Sequence, residues 1–190
     1  MPMPLFVFCH GLGGFGKNCW FPDARSFIAE KGVESYAPDF PNSSDPRYEA
    51  WKQEMNESLR KQWKGEEIVF VAHSMGGYFI MRFLEETSNE LWAVKTVGLV
   101  LVAPAATKRP EYRPFYDKAI DFSVLRKFSM KTTLLYSKDD PIIGKEHIEL
   151  VKAGFGEVPS FSYRETTGWG HFTAYEVPII KEILNEYISA

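Results

Sequence analysis

The chain has 190 residues, 45% of them hydrophobic and 25% charged, with a net charge of −3. That length suits one domain with a sizeable core, and the absence of any block of lysines and arginines gives no surface for nucleic acid. No stretch approaches the ~20 apolar residues of a membrane span, and no charged segment followed by a long apolar one opens the chain, so no membrane association and a cytoplasmic location are expected.

Leu5-Phe6-Val7-Phe8-Cys9 is a continuous apolar run of the kind that forms a strand buried on both faces. It passes into His10-Gly11-Leu12-Gly13-Gly14-Phe15-Gly16, where glycines open backbone conformations closed to other residues. The G-x-G-x-x-G dinucleotide fingerprint fits loosely, because Gly16 precedes Lys17-Asn18 instead of an obvious helix, and no Gly-Lys-Ser/Thr phosphate loop occurs. A loop lending backbone N–H groups to a developing oxyanion fits better. Cys9 and Cys19 are the two cysteines and form no metal-type C-x-x-C pair; they read as free thiols of a reducing compartment, the alternative being a disulfide between them.

Phe21 to Lys31 is a helix candidate, with Pro22 and Asp23 at its start and Gly32 after its end. A short strand follows over Val33 to Ala37. Tyr48, Trp51, Met55, Leu59 and Trp63 then recur every three or four residues, the apolar stripe of a helix that faces the sheet. Ile68 to Ala72 is the third strand. The chain then turns at Ser74 between small residues, Ala72 before and Gly76 after, and a helical apolar segment runs from Met75 to Leu84. A serine at a sharp strand-to-helix turn is a nucleophile elbow, the signature turn of α/β-hydrolases; the alanine stands where the motif usually has glycine.

Thr96 to Ala103 is a fourth strand. Residues 104–129 are less regular and carry Tyr112, Phe115 and Tyr116 among prolines and arginines; this is either a small lid or an ordinary crossover helix with a proline-rich lead-in. Thr132 to Ser137 is a fifth strand, Ile142 to Lys152 a helix, Phe161 to Arg164 a sixth strand, and Glu176 to Ile188 a closing amphipathic helix. Strand and helix alternating six times predict an α/β fold: one domain over 1–190, with about six mostly parallel strands and helices on both faces. Reactive groups in such sheets collect at the carboxyl ends of strands. The glycine loop, Ser74, Asp139-Asp140 and His171 all fall there.

Serine is a weak nucleophile at neutral pH and needs a base within hydrogen-bond reach and an acid to orient that base. His171, in Gly168-Trp169-Gly170-His171-Phe172 before the last helix, is the candidate base. His10 and His73 read as local supports, and His147 as a solvated helix residue. Asp140, restricted by Pro141, is preferred as the acid over Asp139, which would cap the turn or face solvent. The order Ser74, Asp140, His171 is that of α/β-hydrolases. Met75 N–H, at the start of the elbow helix, and Leu12 N–H, from the glycine loop, are the expected oxyanion donors. Phe15, Trp20, Tyr112, Phe115, Tyr116 and Trp169 are candidates for an apolar substrate pocket.

With these motifs in place, the chain resembles the compact serine hydrolases of the retinoblastoma-binding protein 9 type. The resemblance rests on the glycine-rich loop, Pro38-Asp39 leading to Trp51, His73-Ser74-Met75-Gly76, Asp139-Asp140-Pro141 and Gly170-His171-Phe172. It implies an α/β-hydrolase fold and a triad of Ser74, Asp140 and His171. The Leu-x-Cys-x-Glu signature of retinoblastoma-protein binding is absent around Cys9 and Cys19, so that partner is not expected.

The expected activity is hydrolysis of small esters or related acyl compounds through an acyl-enzyme, with a small-molecule acyl substrate and no cofactor or metal. A thioesterase, amidase or peptidase could use the same triad. A binding or scaffold protein on this fold is the alternative of another class.

Overall fold

Six strands pair in parallel throughout, in the order β2-β1-β3-β4-β5-β6, in a computed structural model that describes residues 3–107, 112, 114–156 and 158–188. They are β1 (Leu5–Cys9), β2 (Ser35–Tyr36), β3 (Ile68–His73), β4 (Thr96–Val102), β5 (Lys131–Ser137) and β6 (Phe161–Thr166). The four inner strands are buried almost throughout, which is why they read as unbroken apolar runs. Parallel pairing needs a crossover between successive strands. The described residues provide α1 (Phe21–Ala29), α2 (Tyr48–Gln62), α3 (Met75–Glu86), α4 (Leu91–Val94), α5 (Phe122–Leu125), α6 (Lys145–Phe155) and α7 (Pro178–Ile188).

The strand order reverses between β1 and β3. The chain steps outward from β1 to β2, returns past β1, and then proceeds outward through β4, β5 and β6. With right-handed crossovers that reversal places α1 on the opposite face from the crossover helices between β2 and β6. Accordingly α1 packs against α7, and α2 against α3. The crevice at such a reversal, beyond the carboxyl ends of β1 and β3, is where ligands bind in open α/β sheets.

Helix α2 shows how sequence becomes packing. Tyr48, Trp51, Met55 and Leu59 are all buried, as their spacing requires. Trp51 stacks on Phe40 at 4.6 Å and meets Phe79 and Phe115 edge-on. Burying Met55 and Leu59 contributes about 1.5–3 kcal/mol each, so the helix is held by its inner face and not by its own propensity.

Several expectations are corrected. Strand β2 is only two residues long, and α6 begins at Lys145 because Asp140 takes the Ile142 and Ile143 N–H groups into a turn first. Helix α4, a single turn, was not foreseen. His147 is buried, not solvated: its Nδ1 accepts from Ala106 and Thr107 N–H at 2.9 and 3.0 Å. Cys9 and Cys19 are free thiols, with no disulfide between them.

The 104–129 segment falls partly outside the described residues, at 108–111 and 113. Its later part is bound to α3. Tyr78 donates to Lys118 O at 2.5 Å, Arg82 pairs with Asp117, and Asp121 N–H donates to Glu85 at 3.0 Å. Among the described residues no helix is long and apolar enough to cross a membrane.

Candidate active site

Ser74 sits at the end of β3 with φ 56° and ψ −123°, a conformation that costs a non-glycine residue about 1–3 kcal/mol. Neighbouring strands hold it there. Ser74 N–H donates to Val102 O at 3.1 Å, and Ser74 O accepts from Gly77 and Ala105 N–H, each at 2.9 Å. The turn also needs Gly76: a Cβ there would lie 2.4 Å from Cys9 O and 2.6 Å from His10 O. The small residue after the serine is thus set by the backbone leaving β1. Ala72 is fully buried within β3, where the alanine fits.

Elements at the ends of β5 and β6 complete a hydrogen-bonded chain. His171 Nε2 lies 2.9 Å from Ser74 Oγ, and His171 Nδ1 lies 2.8 Å from Asp140 Oδ2. A carboxylate only accepts, so Nδ1 carries the proton, and Nε2 is left as acceptor for the serine hydroxyl. The Asp140 side chain is wholly buried, and its other oxygen accepts from Ile142 and Ile143 N–H at 2.8 and 3.0 Å. Burial alone would raise its pKa; the hydrogen bonds from His171 and from those two N–H groups outweigh burial and hold the carboxyl below its usual range. Asp139 does not reach the imidazole. Its carboxylate accepts from Gly168 and Gly170 N–H instead.

His10 shapes the glycine loop. Phe40 N–H donates to its Nε2 at 2.9 Å, so Nδ1 is the protonated nitrogen and donates to Gly11 O at 2.9 Å. Gly14 N–H binds the same oxygen at 3.1 Å. A trans peptide is planar, so pinning Gly11 O aims the Leu12 N–H the opposite way. Burial lowers the His10 pKa, which keeps this neutral tautomer. Met75 N–H belongs to the first turn of α3, whose N–H groups have no partner within the helix. Both Leu12 and Met75 line the same cleft as Ser74.

His73 is the second support. Its Nε2 donates to His171 O at 2.8 Å, and the two rings lie 4.7 Å apart. Burial, reinforced by the neighbouring His171, lowers its pKa to about 3, so it stays neutral at physiological pH. Both histidines have the local supporting place that their positions beside the reactive loops suggested.

The cleft has a volume of about 290 Å³. Of the six aromatics expected around it, only Tyr116 lines it. Trp20 is buried against Phe8, Phe21 and His73, and Phe115 against Tyr48 and Trp51. Phe15 is 48% exposed on the loop surface, while Tyr112 and Trp169 pack on the edge of the core. The walls include Asn18, Cys19, Phe21, Ile142 and Thr173, none of them a candidate beforehand. Asn18 and Cys19 come just after the glycine loop, Ile142 two residues after Asp140 and Thr173 two after His171; nearness in sequence is the signal that could have found these four. Among the described residues no cluster of three or more His, Cys, Asp or Glu could hold a metal ion.

Residues 6–165 match the alpha/beta hydrolase family, and the chain belongs to that family. It is 27% identical to YdeN of Bacillus subtilis (strain 168) over 191 residues, which cover 95% of this chain and 94% of that protein. The crystal structure of the B. subtilis ydeN gene product superposes with a TM-score of 0.82 at 23% identity over 100% of both chains. Two more distant structures share the fold. Est1E from Butyrivibrio proteoclasticus, solved with ferulic acid bound, has a TM-score of 0.75 and 13% identity over 98% of this chain and 90% of that one. A monoacylglycerol lipase from Paleococcus ferrophilus has a TM-score of 0.69 and 16% identity over 100% and 96%.

Proposed function

We propose that the protein is a serine hydrolase that cleaves small carboxylic esters through an acyl-enzyme. One observation carries this reading: Ser74 Oγ, His171 and Asp140 form a continuous hydrogen-bonded chain at 2.9 and 2.8 Å, at the wall of a cleft. In the first step His171 Nε2 takes the hydroxyl proton as Oγ attacks the ester carbonyl. Asp140 stabilises the imidazolium, and the Met75 and Leu12 N–H groups receive the oxyanion. His171 then returns the proton to the leaving alcohol. Water, deprotonated by the same imidazole, releases the acid and restores Ser74.

A cleft of about 290 Å³ is at the small end of ligand pockets, roughly 300–1,000 Å³, which supports a small acyl substrate. Tyr116, from the 104–129 segment, supplies one wall. The likeness to a monoacylglycerol lipase supports an oxygen ester over an amide. Asp139-Asp140-Pro141 and Gly170-His171-Phe172 support placing the chain with the retinoblastoma-binding protein 9 type within the family. The test is an assay of p-nitrophenyl acetate, butyrate and hexanoate, followed by thioesters and amides. Saturable ester turnover that disappears in Ser74→Ala is expected. Turnover retained by Ser74→Ala, or none of any acyl compound by the folded wild type, would refute the proposal.

A further inference from the structure

The loop that carries His171 has little regular structure of its own. It leaves β6 at Thr166 and reaches α7 only at Pro178. Three of its residues have positive φ: Gly168 at 86°, Gly170 at 48° and Phe172 at 52°. Such a segment has many alternative conformations, and a base displaced by about 1 Å can cost roughly 100-fold in rate. Something must select one conformation.

The contacts that do so converge on the aspartate beside the acid. Asp139 Oδ1 accepts from Gly168 N–H at 2.8 Å and from the Ser137 hydroxyl; Oδ2 accepts from Gly170 N–H at 3.3 Å. Ser137 Oγ in turn accepts from Trp169 N–H at 3.3 Å. Three successive N–H groups before His171 are therefore held by two side chains at the end of β5. On the other side of the base, Phe172 N–H donates to Trp169 O at 2.9 Å, and His73 holds the His171 carbonyl at 2.8 Å.

We propose that Asp139 is a positioning residue of the reaction: with Ser137 it fixes the 168–170 loop so that the His171 ring meets both Asp140 and Ser74. The inference rests on the proposed triad. It gives the two adjacent aspartates separate tasks, Asp140 on the imidazole and Asp139 on the backbone that delivers it. A hydrogen bond from N–H to an ionised carboxylate is about twice as strong as a neutral one. The carboxylate gathers three donors, from Gly168, Gly170 and Ser137, one more than the two lone pairs of a hydroxyl can accept.

The test uses the full chain with Asp139→Ala and Asp139→Asn. Losing a group that orients a metal-ligating residue typically costs about 10–100-fold, and the same scale is expected for one that orients a base. Asp139→Ala should lose about that factor in kcat on p-nitrophenyl acetate, with KM within about twofold. Asp139→Asn, which keeps one acceptor oxygen, should fall between Asp139→Ala and wild type. The second readout needs no turnover: the low-field proton resonance of His171 Nδ1–H bonded to Asp140 should broaden or vanish in Asp139→Ala and persist in wild type. A protein that shows this resonance but hydrolyses nothing would refute the ester reading alone; loss of the resonance in Asp139→Ala would still support the positioning role, and its persistence there would overturn it. Wild-type kcat and an unchanged resonance in Asp139→Ala would overturn the proposal. A lower melting temperature with kcat unchanged well below it would also overturn it, because Asp139 would then act on stability alone.

Discussion

Asp140 is the residue on which opposing effects meet. Its side chain is fully buried, which favours the neutral acid, yet hydrogen bonds from His171, Ile142 and Ile143 hold it ionised. An asparagine there would keep its oxygen toward the Ile142 and Ile143 N–H groups, because nothing else on the side chain can accept from them. Its NH2 would then face His171 Nδ1 and force the proton onto Nε2, the nitrogen that must accept from Ser74. Asp140→Asn should therefore fold normally and lose about four orders of magnitude in kcat. Circular dichroism and turnover of p-nitrophenyl acetate check both halves, and a loss under tenfold would contradict the assignment. The sequence already favoured Asp140, through Pro141 and through the resemblance, whose second aspartate falls on Asp140. It did not show what Asp139 or His147 touch, since both answers depend on loops folding back from distant positions. The pocket aromatics other than Tyr116 were not separable from the core for a related reason. Spacing shows that Trp20 and Phe115 are near the active loops, but not that their rings turn into the core.

At the scale of elements, the strand–turn–helix around Ser74 depends on backbone proximity. A methyl at position 76 would overlap two carbonyl oxygens, Cys9 O and His10 O, that belong to β1 and its loop and cannot rotate away. Gly76→Ala should destabilise the protein by about 1–3 kcal/mol, the usual cost of overpacking, and shift the glycine loop away from Ser74. Chemical denaturation and turnover should therefore both respond, whereas wild-type stability in this variant would show that α3 can move aside. Buried strands were readable as unbroken apolar runs and α2 by its stripe, because the core enforces both patterns. The edge strand β2, half-buried and two residues long, carries a weaker pattern, and α4 is too short to show any period. The start of α6 was misplaced by three residues because a side chain, Asp140, competes for the N–H groups that would have begun it.

Over the whole molecule, alternation of strand and helix predicted a parallel sheet, but nothing in the residues stated the order β2-β1-β3-β4-β5-β6. That order brings the ends of β1, β3, β5 and β6 to one rim and makes one cleft from residues as far apart in the chain as Leu12 and His171. Membership of the alpha/beta hydrolase family agrees with this arrangement. We propose that Ser74 is an activated nucleophile. The most direct test is reaction of the intact protein with a fluorophosphonate, read by mass spectrometry of the whole chain and of its peptides. One phosphonyl group per chain is expected, attached to Ser74 and absent from Ser74→Ala. A folded wild-type protein that remains unmodified, or is modified equally in Ser74→Ala, would contradict it.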